Sequence, residues 1–554
     1  MDDLIRSNGF GPFFCEGVEI LRRIFVTVRD RDWREISPNQ WNCKVDEARR
    51  TIVIEARHVS ELVDFTWQGT LEVSADGRSV RFAFEGEVQR TMEVCRLGLI
   101  VLHPVETMLG ARITAQSPEG LETMVVASTI APQPIIEGMP AAMMQGFSSL
   151  NIVRSDLGSL ELAFRGDLFE IEDQRNWGDA SFKTYCTPLK VGFPRQIAKG
   201  TRIAHGFELR FSPPIAALAV ANQVPRGTIR GAFPTIGRNL AVPASLLSRD
   251  LRWRHLHADL SHPDDLVTLR AALDHLPMPL EIGIQDRGSD NHRSALASWM
   301  AAQSGRILRV LLYGEGMSPP SAERVANWRR ALDAVGADEL PLFAATRSYF
   351  VEFNRSSEIL TEALQGLSFP LTATVHTDDP CTIAENVATI LDMADTARHL
   401  APNLSLSIAP LALYYPSSLA SQFPREMTAA WLSATLMYAA AAGIASVTLA
   451  DDVASMAPVG LLDRLLGSAD RVVTVWPNEQ PNGVHACVLH LSRESTGQIL
   501  AVNLNSEPAE LELNVFAECV RSFRNASNGV AVITDESWAE LPAFGVRWLE
   551  CELY

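Results

Sequence analysis

Two glutamates, a lysine and a tyrosine lie close together in a short segment whose spacing predicts a hairpin. Glu170 and Glu172 are two residues apart, so on a strand they share one face at roughly 6.5–7 Å from each other. A polar turn containing Gly178 follows, and the chain then enters a second strand on which Lys183 and Tyr185 share a face. If the strands pair, Lys183 faces one of the glutamates. Such a group can orient a hydroxyl-rich ring and deprotonate water beside it.

The same pattern has a purely structural interpretation. Charged residues that alternate along a hairpin also form ladders of solvated ion pairs on the surface of large β-proteins. The spacing of the residues leaves both interpretations open.

Three regions of different periodicity must position these residues. Residues 1–212 alternate with a period of two and predict an N-terminal β-sandwich domain. Residues 213–468 alternate apolar runs with amphipathic helical stretches and predict a central (β/α)8 barrel domain of the TIM type. Residues 469–554 return to a period of two and predict a C-terminal β-sandwich domain. The fold class is therefore multidomain α/β plus all-β.

The barrel prediction depends on eight apolar runs with helical stretches between them. The predicted strands cover residues 228–232, 251–260, 280–284, 307–312, 342–353, 371–376, 404–408 and 444–449. The clearest helical stretches cover residues 264–275, 321–335 and 383–399. A doubly wound sheet is the alternative, but no glycine-rich phosphate loop follows the first predicted strand.

Barrel enzymes carry their chemistry at the C-terminal ends of the strands, and this rule selects a second set of candidates. We expect catalytic roles for Glu315, His376 and Asp451, and substrate contacts from the polar residues at other strand ends, namely His257, Asp259, Glu352 and Asn354. Each of these also has an alternative as a helix cap or loop residue.

A metal site and a glycosidase site are the alternatives in the barrel. His255, His257 and Asp259 share a strand face and, with His376 and Asp451, could hold a divalent metal, although we predict that no cofactor is needed. Glu315 could serve as a glycosidase acid, but no carboxylate follows the seventh predicted strand to act as its partner. A serine nucleophile is also disfavoured, because no Gly-x-Ser-x-Gly element occurs.

Composition limits the partners and the location. The 554 residues carry 66 acidic and 48 basic side chains, and a net charge of -18 repels nucleic acid and anionic membranes. The first 14 residues do not resemble a signal peptide, and the apolar run 427–450 fits a buried helix entering a strand better than a membrane span. The eight cysteines are scattered and fit reduced thiols. We expect a cytoplasmic protein whose partner is a small molecule, with its oligomeric state left open.

Two sequence motifs resemble those of the D-apionate lactonases. Residues 169–185 read Phe-Glu-Ile-Glu-Asp-Gln-Arg-Asn-Trp-Gly-Asp-Ala-Ser-Phe-Lys-Thr-Tyr, and family members carry nearly the same run. Residues 96–104, Arg-Leu-Gly-Leu-Ile-Val-Leu-His-Pro, are similar to a second family element. The resemblance covers about residues 85–211. It implies a β-rich N-terminal domain, a TIM-type barrel, a small C-terminal domain and hydrolysis of D-apionolactone to D-apionate during breakdown of the plant sugar apiose.

The resemblance also marks candidate site residues. We expect Glu172 to be catalytic and the remaining polar motif residues to bind substrate, namely Arg96, His103, Glu170, Asp173, Arg175, Asn176, Asp179, Lys183 and Tyr185. A carboxylate or His376 would activate water, and Lys183, Arg175 or a metal would stabilise the oxyanion. The pocket would lie at the barrel mouth, with the Glu172 hairpin as its roof.

The barrel departs from what the resemblance leads us to expect. Asp451 and Asp452 follow the eighth predicted strand, where relatives are expected to show a glutamate, and the seventh ends without basic residues. These departures favour a divergent member acting on another lactone, or a less active one. A glycoside hydrolase acting on a plant-derived sugar and a noncatalytic carbohydrate-binding relative stay as alternatives.

Overall fold

The structure is a computed structural model of the whole chain. The residues that it describes are 1–6, 8–214, 229–240, 253–261, 265, 267, 278–285, 290–356, 362–377, 379–414, 423–475, 484–490, 495–512, 516, 520–525 and 538–553. Most of the helix predicted over residues 264–275 lies outside this set.

The chain forms two compact units. The first contains Met1–Asn176 and Ala180–Val224, and the second contains Trp177–Asp179 and Pro225–Tyr554. The domain boundaries predicted after residues 212 and 468 stay predictions.

A nine-stranded antiparallel sheet forms one half of the first unit. Its strands, in spatial order, are Gly120–Val125, Arg112–Ser117, Ser149–Arg154, Gly158–Arg165, Arg202–Ser212, Ser79–Val88, Asp64–Val73, Thr51–Val59 and Gln40–Asp46. Alternation decides which face is buried: along Thr51–Val59, Ile52 and Ile54 are buried whereas Val53 and Glu55 are exposed.

A six-stranded antiparallel sheet forms the other half. Its strands are Met144–Phe147, Phe169–Asp173, Ser181–Tyr185, Met92–Pro104 and Arg195–Ile197, with Arg23–Asp30 also paired to Met92–Pro104. Two-stranded ribbons complete the unit, Phe13–Cys15 with Val18–Leu21 and Ile135–Ile136 with Met139–Pro140. Side chains of both large sheets, such as Phe82 and Phe169, share one hydrophobic core. The β-rich N-terminal domain is thus confirmed.

The second unit contains a closed barrel of eight parallel strands, which confirms the predicted barrel. The strands are Thr235–Asn239, His255–Asp259, Leu280–Gln285, Ile307–Tyr313, Leu342–Ala345, Gly366–Thr372, Ser405–Ala412 and Ser446–Leu449. We number them one to eight in this order.

Three predicted strands need correction. Residues 228–232 do not begin the barrel, because Ile229–Ala232 pairs with Val472–Val475 of the C-terminal sheet, and barrel strand one is Thr235–Asn239. Strand five ends at Ala345 rather than at residue 353. Strand six ends at Thr372, so His376 lies in the loop beyond it. Apolar side chains in the loops after strands five and six continue the strand-like sequence pattern, so the predicted strands extend beyond the observed C-terminal ends.

Helices follow the barrel strands. They are Asp290–Ala302, Ala322–Asp333, Val351–Asn354, Pro380–Asn386, Thr389–Leu400, Arg425–Ala441, Asp451–Met456 and Val459–Leu466. Ser321 and Asp379 cap two of them by accepting the backbone N–H of the residue three positions later. The first unit has the short helix Val105–Met108 and the 3-10 turns Asp2–Leu4, Gln174–Trp177 and Leu189–Val191.

The alanine-rich helix Arg425–Ala441 is almost wholly buried and leads into strand eight, as the sequence predicts. Among the described residues, no helix has both the length and the apolar character that crossing a membrane requires.

The C-terminal region is a β-rich part of the second unit. A six-stranded sheet contains Ile229–Ala232, Val472–Val475, Val484–His490, Thr496–Asn503, Val546–Leu553 and Val520–Asn525. Ala509–Glu512 and Trp538–Leu541 form a separate ribbon. Seven of the eight cysteines are free thiols, and Cys519 lies outside the described residues.

Buried His58 predicts acid sensitivity of the first unit. Its Nε2 accepts the indole N–H of Trp67 at 3.0 Å, so its Nδ1 donates to the carbonyl of Ile36 at 2.6 Å. Burial lowers the pKa of His58 to about 4. The unfolded chain therefore gains a proton between pH 6.5 and 4 that the folded chain does not, and the free energy of unfolding falls by about 3 kcal/mol.

Urea unfolding at pH 7 and pH 4 measures this loss. We expect a smaller pH-dependent loss in His58→Gln, whose amide can still donate and accept, than in the unaltered protein. Replacement of the exposed His399 by glutamine is the control. Equal pH dependence in all three proteins would contradict the prediction.

Candidate functional site

An aspartate–histidine pair lies in the second unit at the C-terminal end of barrel strand six. The Nδ1 atom of His376 is hydrogen-bonded to the carboxylate of Asp179, whose other oxygen accepts the side-chain amide of Asn386 at 2.9 Å. The ring of Trp177 meets the His376 ring edge-on at 5.6 Å between centroids. A carboxylate at Nδ1 fixes the orientation of the ring and the tautomer in which Nε2 accepts a proton. A histidine oriented in this way has the geometry that general-base catalysis requires.

A second group at the barrel mouth is built around Arg347. Its guanidinium donates to Ser261 Oγ and to Asp259 Oδ2, each at 2.6 Å, and lies 4.1 Å from the ring centroid of Tyr313. The Arg347 side chain keeps 32% exposure. Asp259 is therefore paired with a cation that is itself accessible to solvent, and its predicted contact with substrate is untested.

Sequence reasoning missed Arg347. It placed this residue inside a strand running over 342–353, whereas the strand ends at Ala345 and Arg347 stands just beyond its C-terminal end. The polar sequence Thr-Arg-Ser at 346–348 was the available signal.

The barrel interior holds a buried polar network that includes His257, a predicted substrate contact, and His255, a predicted metal ligand. Glu281 is fully buried and accepts hydrogen bonds from Arg309 at 2.8 Å, Thr448 at 2.9 Å and His257 at 3.0 Å. Burial acts to raise the pKa of Glu281, but the hydrogen bond from His257 and the nearby cationic groups outweigh it and hold this pKa well below its usual range. The network stabilises a charged glutamate inside the barrel.

His255 takes part in the same network. Its Nε2 is 2.8 Å from the Thr448 hydroxyl, and burial lowers its pKa to about 4. His255, His257 and Asp259 thus contact different partners. Within the described part of the barrel, no three potential ligands converge as a metal site requires.

The remaining barrel candidates have ordinary surface or helix contacts. Glu315 has a 92% exposed side chain that lies 3.6 Å from Arg324, and Asp451 has a 58% exposed side chain that lies 3.3 Å from Arg238. Glu352 and Asn354 lie on the short helix Val351–Asn354 rather than on a strand. Burial raises the pKa of Glu352, and Asn354 is itself buried. Catalytic or binding roles for these four residues stay predictions.

The motif hairpin of the first unit pairs as the sequence predicts. Glu172 lies opposite Lys183, and Glu170 lies opposite Tyr185. Every residue of the two strands is buried, on both faces. The interpretation as a solvated ion-pair ladder is therefore wrong, because the charged face packs inside the protein.

Glu172 is the centre of this buried polar cluster. One of its oxygens accepts Lys183 at 2.6 Å and Gln174 at 2.7 Å, and the other accepts Gln133 at 2.9 Å and Tyr185 at 3.2 Å. Burial lowers the pKa of Lys183 to about 8, although the charge of Glu172 opposes the shift. Both oxygens of the Glu172 carboxylate are thus committed to protein donors.

Arg96, Glu170 and Tyr185 extend the cluster. The Arg96 guanidinium lies 3.7 Å from the ring centroid of Tyr185, a close cation–π contact. Glu170 accepts the backbone N–H of Leu189 at 3.0 Å, and burial raises its pKa. Burial also raises the pKa of Tyr185 well above its usual range.

The remaining motif residues in the first unit bind neighbouring backbone. Arg175 is fully buried, forms a two-point ion pair with Asp173 at 2.7 and 2.9 Å, and donates to the Ser128 carbonyl. Asn176 donates to the carbonyl of Ala131 at 2.8 Å. These contacts hold residues 128–131 in place. They also occupy the Arg175 guanidinium with protein acceptors, so Arg175 is a poor candidate for binding the oxyanion.

His103 is also committed to a protein partner. Its Nε2 is 2.8 Å from the Thr184 hydroxyl, and burial lowers its pKa to about 3. Its predicted contact with substrate is untested.

These features define a multidomain protein with a (β/α)8 barrel that carries an aspartate–histidine pair at its C-terminal mouth. The family is shown by two matching models, "D-apionate lactonase, N-terminal domain" over residues 5–214 and "D-apionate lactonase, TIM barrel domain" over residues 238–417. The chain belongs to the D-apionate lactonase family.

The sequence identity to individual relatives and solved structures is 30% or lower. The chain is 30% identical over 186 residues to a D-apionate lactonase of Brucella anthropi, a match that spans 33% of this chain and 29% of the relative's length. A beta-arabinopyranosidase structure is 11% identical with a TM-score of 0.33, covering 97% of this chain and 95% of that one. A GH30 endoxylanase from Clostridium papyrosolvens is 11% identical with a TM-score of 0.38, covering 59% and 98%. TM-scores this low support no conclusion about fold or activity.

Proposed function

We propose that this protein hydrolyses a sugar-acid lactone, with D-apionolactone giving D-apionate as the leading reaction. The observation that carries the proposal is the Asp179–His376 pair at the barrel mouth of a chain in the D-apionate lactonase family. Lactone opening needs a base that takes a proton from water as the water attacks the carbonyl, and the hydrogen bond at Nδ1 prepares His376 for this step.

In the proposed mechanism, His376 Nε2 accepts a proton from water while the oxygen attacks the lactone carbonyl. Asp179 stabilises the imidazolium that forms, and Asn386 holds Asp179 in position. The imidazolium then returns the proton to the departing ring oxygen, which becomes a hydroxyl group of the product. The ring C–O bond breaks and the product is a hydroxy acid.

Arg347 is our candidate for binding the developing oxyanion. It is a partly exposed cation at the mouth, oriented by Asp259, Ser261 and the face of Tyr313. A charged donor aimed at the carbonyl oxygen stabilises the tetrahedral intermediate more than the substrate, because negative charge develops there only during the reaction.

We propose a supporting role for the buried Glu172 cluster. Its four hydrogen bonds suit a group that shapes the motif hairpin better than one that moves protons. Glycoside hydrolysis has less support, because Glu315, the acid that it would use, is exposed and paired with Arg324.

The direct test is timed hydrolysis of D-apionolactone, other γ-lactones and aryl glycosides by the purified full-length chain, with and without a chelator. We expect lactone hydrolysis that is faster than the spontaneous rate and no release from the glycosides. Turnover of another γ-lactone alone would identify a divergent family member. Absence of turnover with every lactone would refute the proposal.

Arg347→Gln should reduce kcat/KM for the lactone by about 10²–10³-fold, since it removes the charged donor for the oxyanion. Steady-state kinetics measures the change, and Arg330→Gln, an exposed helix position, is the matched control. Retention of more than half of kcat/KM in Arg347→Gln would remove this residue from the mechanism.

A further inference from the structure

Three side chains of metal-binding types converge in the first unit, and none of them takes part in the proposed mechanism. Asp167 precedes strand Phe169–Asp173, Cys186 directly follows strand Ser181–Tyr185, and His205 lies within Arg202–Ser212. One donor atom from each lies within 4.8 Å of the other two. Cys186 and His205 are buried, and Asp167 is partly exposed.

The sulfur and nitrogen donors are separated by nearly the distance that tetrahedral coordination requires. Cys186 Sγ and His205 Nδ1 are 3.4 Å apart. A tetrahedral zinc ion with Zn–S of about 2.3 Å and Zn–N of about 2.05 Å holds its sulfur and nitrogen ligands about 3.6 Å apart. A metal therefore needs only a small movement of these two side chains.

Two glycines let the backbone approach the cluster. A Cβ atom at Gly98 would lie 2.5 Å from Cys186 Sγ and 2.7 Å from the His205 ring, and one at Gly166 would lie 2.8 Å from that ring. Both glycines have positive φ, at +148° and +96°. Backbone thus encloses the donors closely enough to fix their positions.

Neighbouring hydrogen bonds orient the carboxylate. Thr187 Oγ1 donates to Asp167 Oδ2 at 2.6 Å, and Arg195 donates to Thr187 Oγ1 at 3.0 Å. Outer contacts of this kind commonly orient metal ligands. His205 Nδ1 faces the Cys186 thiol, the position from which an imidazole nitrogen can bind the same cation.

We propose that Asp167, Cys186 and His205 bind a thiophilic divalent cation of the zinc type, with water as the fourth ligand. On binding, the cation replaces the thiol proton of Cys186, which leaves to solvent, and the Sγ–Nδ1 hydrogen bond gives way to two metal–ligand bonds. His205 Nδ1 also gives up its long contact with the backbone N–H of Leu99, at 3.4 Å.

The site would be structural. His205 belongs to the nine-stranded sheet, Cys186 follows a strand of the six-stranded sheet, and Asp167 lies on the connection between the sheets. A metal at this point would join the two sheets at the base of the hairpin that carries Glu172 and Lys183.

Titration of the metal-free full-length chain with Co²⁺ tests the proposal, because a Co²⁺–thiolate bond gives a charge-transfer band in the near ultraviolet. We expect one equivalent to saturate the band, Zn²⁺ to displace it, and Zn²⁺ to raise Tm. Cys186→Ser should abolish the band and weaken Zn²⁺ binding at least tenfold. Cys487→Ser, a buried cysteine of the C-terminal sheet, is the matched control and should keep the band.

Asp167→Asn provides a second variant with little risk to the fold, because the side chain is partly exposed and the amide keeps its size. It should also weaken Zn²⁺ binding about tenfold. A native chain without the thiolate band, or a band that persists in Cys186→Ser, would overturn the proposal. The readout is spectroscopic, so the result is independent of lactone hydrolysis.

Discussion

Replacing His376 with glutamine should reduce kcat/KM for lactone hydrolysis by about 10³-fold, within the range that a positioned general base contributes. Glutamine has a similar reach but cannot accept a proton near neutral pH. The contact with Asp179 can persist through the glutamine amide, so we expect the fold and Tm to change little. Steady-state kinetics and thermal unfolding of the same preparations measure both effects.

Asp179→Asn is the companion variant. An amide at this position no longer stabilises the imidazolium, and we expect a loss of 10²-fold or more, located mainly in kcat. His399→Gln, an exposed histidine in the last turn of Thr389–Leu400, is the control and should keep full activity. If His376→Gln retains more than a tenth of the native kcat/KM, another group is the base.

Lys183→Met should lower the free energy of unfolding by about 3–5 kcal/mol, the cost of removing one partner of a buried ion pair. Glu172 is buried and charged, and methionine takes away its closest donor, at 2.6 Å. The three remaining donors cannot replace a full positive charge. Urea unfolding at neutral pH measures the loss, with the exposed Lys190→Met as control.

A double-mutant cycle separates the charge from the packing. The variant Lys183→Met/Glu172→Met removes both charges and should recover much of the stability that Lys183→Met loses, because no unpaired carboxylate remains buried. Strictly additive losses would show that the two side chains do not interact and would contradict the ion pair.

The hairpin was predictable because its two strands are adjacent in the sequence and are joined by a short turn. Residues two apart share a strand face, so the spacing placed Lys183 opposite either Glu172 or Glu170. The strand pairing selects Glu172. Their burial was not predictable. An alternating charged pattern is the same whether that face meets water or other polar side chains, such as Gln133 from 39 residues earlier in the chain.

The barrel errors have a similar cause. Residues 228–232 have strand propensity and were predicted as the first barrel strand. They pair instead with Val472–Val475, more than 200 residues later in the chain, and local sequence does not specify such a distant partner. His376 was predicted as the last residue of strand six, but the strand ends at Thr372. Its hydrogen-bond partner Asp179 was expected to bind substrate, because a contact between residues 197 positions apart leaves no trace in local spacing.

The polar network inside the barrel has a consequence for how the chain folds during synthesis. Arg309 donates to Ser446, and Glu281 accepts from Thr448, so charges on strands three and four depend on hydroxyls of strand eight. A nascent chain that has not yet emerged to residue 449 holds an arginine and a glutamate whose native partners are incomplete. We therefore expect the charged interior of the barrel to gain its full set of hydrogen bonds only once strand eight has joined the sheet.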